Sequence, residues 1–203
     1  MKYYVFEGKT KEEAIEKASQ ELKITEENMI IKILEEKQGL LKKVAKIQVI
    51  NINELIDYIK ETITEITSLM NININLEVRR RDKNISVTIF ADNNPILIGK
   101  NGRTIQALQN IIRQIVQPQI ENEYQIIIDV GNYKEKRIHN IEYLAKKTAR
   151  EVAKTKVEAK LDSMNSYERR AVHNILSNNK YVYTESFGEE PNRYVVIKPK
   201  EEE

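Results

Sequence analysis

Two short stretches carry residues whose types and spacing suit chemistry. The first is Ile98-Gly99-Lys100-Asn101-Gly102-Arg103-Thr104-Ile105. Gly99 and Gly102 remove side chains where a backbone must turn sharply and where a sugar-phosphate chain must come close. The helix expected just beyond offers unpaired N–H groups and the positive end of its dipole, and Lys100 and Arg103 add full charges there. Ile98 and Ile105 would wall an apolar groove beside the loop. The alternative is an ordinary glycine pair between two helices, with solvated charges. The second stretch is Arg169-Arg170-Ala171-Val172-His173. Arg169 and His173 stand four apart, hence on one face of a helix. A guanidinium and an imidazole so placed can donate hydrogen bonds to adjacent phosphates, with Arg170 alongside. The alternative makes Arg169 a structural residue paired with a nearby acidic side chain.

Both stretches point to binding a polyanion rather than to a reaction. The 203 residues contain no Cys, which excludes disulfides, thiolate metal sites and a cysteine nucleophile. His139 and His173 lie far apart, so no histidine-rich metal site is expected. There is no H-E-x-x-H, Walker loop or G-x-S-x-G, and the glycine loop has Arg103 where a P-loop needs Lys. The expectation is a non-enzyme with no catalytic residue, no metal and no cofactor. The 33 basic and 31 acidic side chains nearly cancel, leaving +2. Their distribution is uneven, because residues 131–184 carry 12 basic and 6 acidic groups. A polyanion would be drawn to that region first. The start shows no signal-peptide pattern, and no run approaches the roughly 18 apolar residues of a membrane span, so a cytoplasmic protein is expected.

The elements that must position these residues fall into three parts, read here as 1–51, 52–130 and 131–203. The first runs strand, helix, strand, strand. Lys2–Phe6 is β-prone, and Thr10 with Glu13 forms a capping box ahead of Ala14, Ile15, Ala18 and Leu22. Met29–Leu34 is an apolar strand, and a turn at Gln38-Gly39 leads to Ala45, Ile47 and Val49 alternating with polar residues. Fifty residues make a marginal core, so this module should lean on a partner. The second part opens near Asn53 as N-cap, with Leu55, Ile56, Ile59, Ile63 and Ile66 at helical spacing. A hairpin follows, from the alternation of Ile72, Ile74, Leu76 and Val78 and then of Ile85, Val87 and Ile89. Beyond the glycine loop, Ile105, Leu108, Ile112 and Ile115 define a helix stopped by Pro118, and Tyr124–Val130 is a strand. The order is α-β-β-α-α-β. In the third part Asn132-x-x-Glu135 reads as a cap for a long helix. Residues 155–161 read as strand, Asn165 and Glu168 as a second cap, and Tyr181–Phe187 and Arg193–Ile197 as strands. The fold class is α+β. Isoleucine-rich faces at Ile105–Ile115 and Ile126–Ile128 exceed what one small sheet should cover, which suggests association.

The I-G-x-x-G-x-x-I run inside that element order resembles a KH domain of the prokaryotic type II form. Such a groove holds about four unstacked nucleotides. The Arg-x-x-x-His pentad followed by two strands resembles the single-strand-binding domain named after that signature, the R-3-H domain. Together with Phe6-Glu7-Gly8-Lys9-Thr10, Asp129-Val130-Gly131-Asn132-Tyr133, Tyr167-Glu168-Arg169-Arg170 and Glu190-Pro191-Asn192-Arg193, the whole chain resembles the Jag family (SpoIIIJ-associated proteins). One departure is Gln38-Gly39-Leu40-Leu41-Lys42, which keeps one of the two glycines common in that family's turn.

The resemblance implies an RNA-binding post-transcriptional regulator. Its implied partners are single-stranded RNA, single-stranded DNA as an alternative for the Arg-x-x-x-His module, and a small KH-domain protein (KhpA-like). It further implies roles in cell elongation, cell shape and envelope synthesis, and in sporulation. The rival reading is a protein-interaction scaffold whose KH part mainly dimerises. An RRM-type reader is disfavoured, since Phe90 is the only aromatic in the central hairpin.

Overall fold

The computed structural model describes residues 1–38, 43–120 and 124–200. The turn expected after Gln38, and the altered glycine pattern with it, lie outside the described residues. Among the described residues the α+β architecture contains three three-stranded sheets. In the first, β1 (Tyr4–Gly8), β3 (Lys43–Asn51) and β2 (Met29–Gln38) lie in that order, all antiparallel, with Phe6 opposite Ile47. Helix α1 (Lys11–Leu22) covers one face, burying Ala14 and Ala18 against Phe6, Met29, Ile47 and Val49. Thr10 caps α1 by accepting from Glu13 N, while the Glu13 carboxylate takes the Lys9 N–H, one residue earlier than in a strict capping box.

Helix α2 (Ile52–Leu69) is capped two residues before the expected Asn53. Asn51 accepts from Asn53 N at 3.0 Å, and Asn53 sits in the first turn. Starting there puts Ile52, Leu55, Ile59 and Ile63 on one buried stripe. Strands β4 (Ile74–Arg81) and β5 (Asn84–Ala91) form the expected hairpin, closed by Asp82-Lys83. Then come α3 (Asn94–Ile98), α4 (Arg103–Ile120) and β6 (Gln125–Val130), giving a sheet ordered β4-β5-β6. Pro118 does not stop α4. It sits in the last turn and removes one hydrogen bond, and the burial of Val116 and Ile120 carries the helix on. Most of the isoleucine surplus is absorbed in the same way. Ile105, Ile112, Ile126 and Ile128 are core, and Ile111 remains exposed.

Residues Met1–Leu97 and Arg103–Ile128 make one compact unit. Within it, Tyr4 Oη donates to Glu54 Oε1 at 2.9 Å, and Arg80 donates to Asn28 Oδ1 and Glu27 O. The small N-terminal sheet is therefore tied to α2 and β4, as a core of fifty residues requires.

The second unit contains Asp129–Glu203 together with Ile98–Gly102. Helix α5 (Tyr133–Thr155) and helix α6 (Ser166–Leu176) pack on a sheet of β7 (Ala159–Ser163), β9 (Tyr194–Pro199) and β8 (Val182–Phe187), ordered β7-β9-β8. Two expectations shift here. The stretch 155–161 is not one strand, since α5 runs to Thr155, Lys156 takes a left-handed C-cap, and the strand begins at Ala159. Asn132 does not cap α5 with its side chain, because its φ of 58° is left-handed. Asp129 does that work, accepting from Lys134 N at 3.2 Å and Val130 N at 2.9 Å.

Candidate nucleic-acid interface

The glycine loop is held by its backbone. Gly99, Asn101 and Gly102 have φ of 69°, 54° and 77°, and Gly102 N donates to Gly99 O at 3.3 Å. Three left-handed residues in four form a turn that most side chains disfavour, and the two glycines and an asparagine are the residues that tolerate it. Lys100, between them, is exposed, as is Arg103 at the start of α4. Asn101 is half-buried and donates through Nδ2 to Ser163 O at 3.4 Å. Gly102 is buried, and a Cβ there would stand 2.9 Å from Tyr133 Cε1. Gly102 is thus required twice, by its φ and by the ring above it. Burial pushes the Tyr133 phenol above its ordinary pKa, with Arg137 opposing the rise and the Glu168 carboxylate adding to it. Ile98 is half-buried and able to border a groove, whereas Ile105 is 3% exposed and belongs to the core.

Helix α6 is built differently. Its N-terminus carries a full capping box: Glu168 N donates to Asn165 Oδ1 at 3.0 Å, and Asn165 N to Glu168 Oε2 at 2.9 Å. The other Glu168 oxygen takes Arg137 Nε at 2.9 Å. Arg169 and His173 do share a face, as their spacing requires, but that face points inward. Arg169 is 8% exposed, and its Nη1 donates to Met164 O at 2.9 Å and to Glu190 Oε1 at 2.8 Å. His173 is half-buried, with Nδ1 2.6 Å from Thr184 Oγ1 and Nε2 2.8 Å from Ser186 Oγ on β8. Burial, and then the Arg169 charge, lower its pKa below the ordinary 6.5, so the ring is neutral at pH 7. The physical reason is the spacing itself. Residues 169, 172, 173 and 176 form one helical stripe, and Val172 and Leu176 are core. Arg170 lies off that stripe and is exposed.

The glycine turn inside an α-β-β-α-α-β unit, followed by the capped Arg-x-x-x-His helix on its sheet, matches known domains. The Jag N-terminus matches residues 6–50, the KH domain of KhpA/KhpB matches 54–130, and the R-3-H domain matches 139–199. The chain is 36% identical over 201 residues to RNA-binding protein KhpB of Clostridium symbiosum, covering 96% of this chain and 90% of that protein. The chain belongs to the KhpB family. Identity to RNA-binding protein KhpB of Bacillus subtilis (strain 168) is 31% over 201 residues, or 95% of this chain and 96% of that one. The KhpB of Lactiplantibacillus plantarum is 34% identical over 146 residues, and there the match spans 44% of the relative.

As a KhpB-family chain, the molecule gives structural work to stretches that the sequence carries without an evident role. Asp129 caps α5, Tyr133 covers Gly102, Glu190 holds Arg169, and Arg193 O accepts from Met164 N at 3.0 Å. Tyr133 is the functional neighbour that spacing could not reveal, because it meets the loop from thirty-one positions away in the chain. Among the described residues no cluster of three or more His, Asp or Glu is placed to hold a metal ion. No helix among them is long and apolar enough to cross a membrane.

Proposed function

We propose that this chain is a single-stranded-RNA-binding post-transcriptional regulator, organised as modules 1–51, 52–130 and 131–203. The observation that carries the reading is the glycine turn: three left-handed residues present Lys100 to solvent. A phosphate can approach such a backbone closely and meet an ammonium there. The RNA-binding names of its relatives support the same reading. In this proposal Lys100 and Asn101 are the clamp, Gly99 and Gly102 shape it, Arg103 adds charge and Ile98 borders the groove. On α6 the exposed Arg170 is the direct phosphate contact, while Arg169 and His173 position the helix on its sheet. The regulator works in the cytoplasm with a small KH-domain protein of the KhpA kind, in control of cell elongation, cell shape and envelope synthesis, as the family resemblance implies. It has no catalytic step.

The test is titration of a labelled single-stranded RNA at several salt concentrations. Each neutralised phosphate should contribute about −0.7 to the slope of log K against log salt. A slope of several such steps supports the reading. Absence of binding even at low salt overturns it in favour of the scaffold.

A further inference from the structure

The glycine loop is anchored at two points on the C-terminal module, the Asn101 bond to Ser163 O and the Gly102 packing under Tyr133. What lies around Ser163 matters for a bound strand. Ser163 ends β7, and its register partner on β9 is Tyr194. The next residue, Met164, donates its N–H to Arg193 O, so Arg193 stands beside the same anchor. Lys160 starts further along β7, but its ammonium lies 3.9 Å from the centre of the Tyr194 ring, reaching back toward the Ser163 end. Lys100, Lys160 and Arg193 are all exposed. Of the two acids of the same turn, Glu190 is held by Arg169, and Glu189 is exposed. One exposed acid, Asp162, sits between Lys160 and Ser163.

We infer that the glycine loop and the β7/β9 end of the C-terminal sheet form one continuous track for a single RNA strand. A strand clamped at Lys100 runs on over Arg193 and Lys160. This rests on the reading of the loop as an RNA clamp and adds to it a footprint longer than the roughly four nucleotides of one KH groove. It also assigns binding roles to Lys160 and Arg193, which lie outside both signature motifs. Neither role requires their side chains for folding beyond the Lys160–Tyr194 contact, since Arg193 is used by the fold through its carbonyl.

The experiment uses the full chain with oligouridylates of four and ten nucleotides. The variant Lys160→Gln/Arg193→Ser should bind the ten-nucleotide strand about tenfold more weakly while binding of the four-nucleotide strand stays unchanged, as loss of two phosphate contacts requires. Asp162→Asn should tighten the ten-nucleotide complex about threefold by removing a like charge from the path, a gain that damage to the fold cannot mimic. If neither variant alters binding of the long strand while Lys100→Asp abolishes it, the track is overturned and the loop clamp stands. If the unaltered chain binds neither oligonucleotide at low salt, the clamp reading and the track fall together.

Discussion

The glycine loop and the Arg-x-x-x-His helix look alike as sequence: each sets a few polar residues at a spacing that suits phosphate. In the folded chain they are opposites. The loop has backbone as its working part and leaves Lys100 outside, whereas the helix turns Arg169 and His173 into the module and leaves Arg170 outside. The difference is one of geometry. A turn built on three left-handed residues cannot join a regular core layer, so its lone lysine stays solvated. An i, i+4 pair on an amphipathic helix shares its stripe with i+3 and i+7, and here those are Val172 and Leu176. Spacing places residues on one face without saying which way the face looks.

The largest effect should come from breaking the loop. Lys100→Asp should weaken RNA binding at least about tenfold with no change in melting temperature, because the side chain is exposed and only its charge is reversed. Adding Asn101→Asp should deepen that loss to roughly a hundredfold and also lower the melting temperature. An aspartate cannot donate to Ser163 O and sets a carboxylate against it. A doubly substituted, folded chain with full affinity would remove the loop from the interface.

The matching change on the helix should act on stability instead. Arg169→Ala strands Met164 O and releases Glu190, and should cost about 2 kcal/mol, most of it from the buried carbonyl. Glu190 is more than half exposed and its share is screened. Thermal unfolding should report the loss, and the affinity of the folded fraction should stay within about twofold. An unchanged melting curve with tenfold weaker binding would return Arg169 to the phosphate.

Gly102→Ala tests whether the loop is held by its φ alone or also by the ring. The left-handed φ costs about 1–2 kcal/mol for any residue with a Cβ, and the Tyr133 ring adds to it. In a Tyr133→Ala background the same substitution should cost less, since only the φ penalty remains. Equal costs in the two backgrounds would show that the ring does not constrain the loop. A smaller effect is expected from Arg170→Ala, which should leave stability intact and flatten the salt slope by about 0.7. An unaltered slope would leave α6 without a direct contact.

Much of this was legible in the sequence, for reasons that differ by element. The alternation of Ile85, Val87 and Ile89 and the stripe of Leu55, Ile59 and Ile63 reflect local periods, and the strands and helices follow them. The Asn165–Glu168 cap is local chemistry and is present as read. The cap at Asn132 failed because the left-handed turn at Gly131 and Asn132 took that residue, and Asp129 supplied the acceptor from five residues before Lys134. Pro118 was overruled by burial on either side of it. The inward turn of Arg169 depended on Glu190 and Met164 being in place, and the cover on Gly102 depended on Tyr133. Neither leaves a trace in spacing.

The smallest effect is the one that isolates His173. Its folded-state pKa lies below the ordinary 6.5, chiefly through burial and secondarily through the Arg169 charge. As pH falls through 6.5 the unfolded chain takes up a proton that the folded ring still refuses. The contribution of the neutral ring to stability is therefore full above about pH 6.5 and is lost as pH falls through the folded value. His173→Gln can still meet the hydroxyls of Thr184 and Ser186 but does not titrate. The melting-temperature gap between the original chain and this variant should be widest near pH 7.5 and should narrow as pH falls below about 6.5. Carboxylates shared by both chains cancel in that difference. RNA affinity of the folded fraction, measured in parallel, should keep a constant ratio between the two chains, because a neutral ring held between two hydroxyls brings no charge to a phosphate. A gap that stays constant while the affinity ratio grows toward acid pH would mean that the ring leaves its hydroxyls and meets RNA as an imidazolium, and the contrast between loop and helix would fail at that residue.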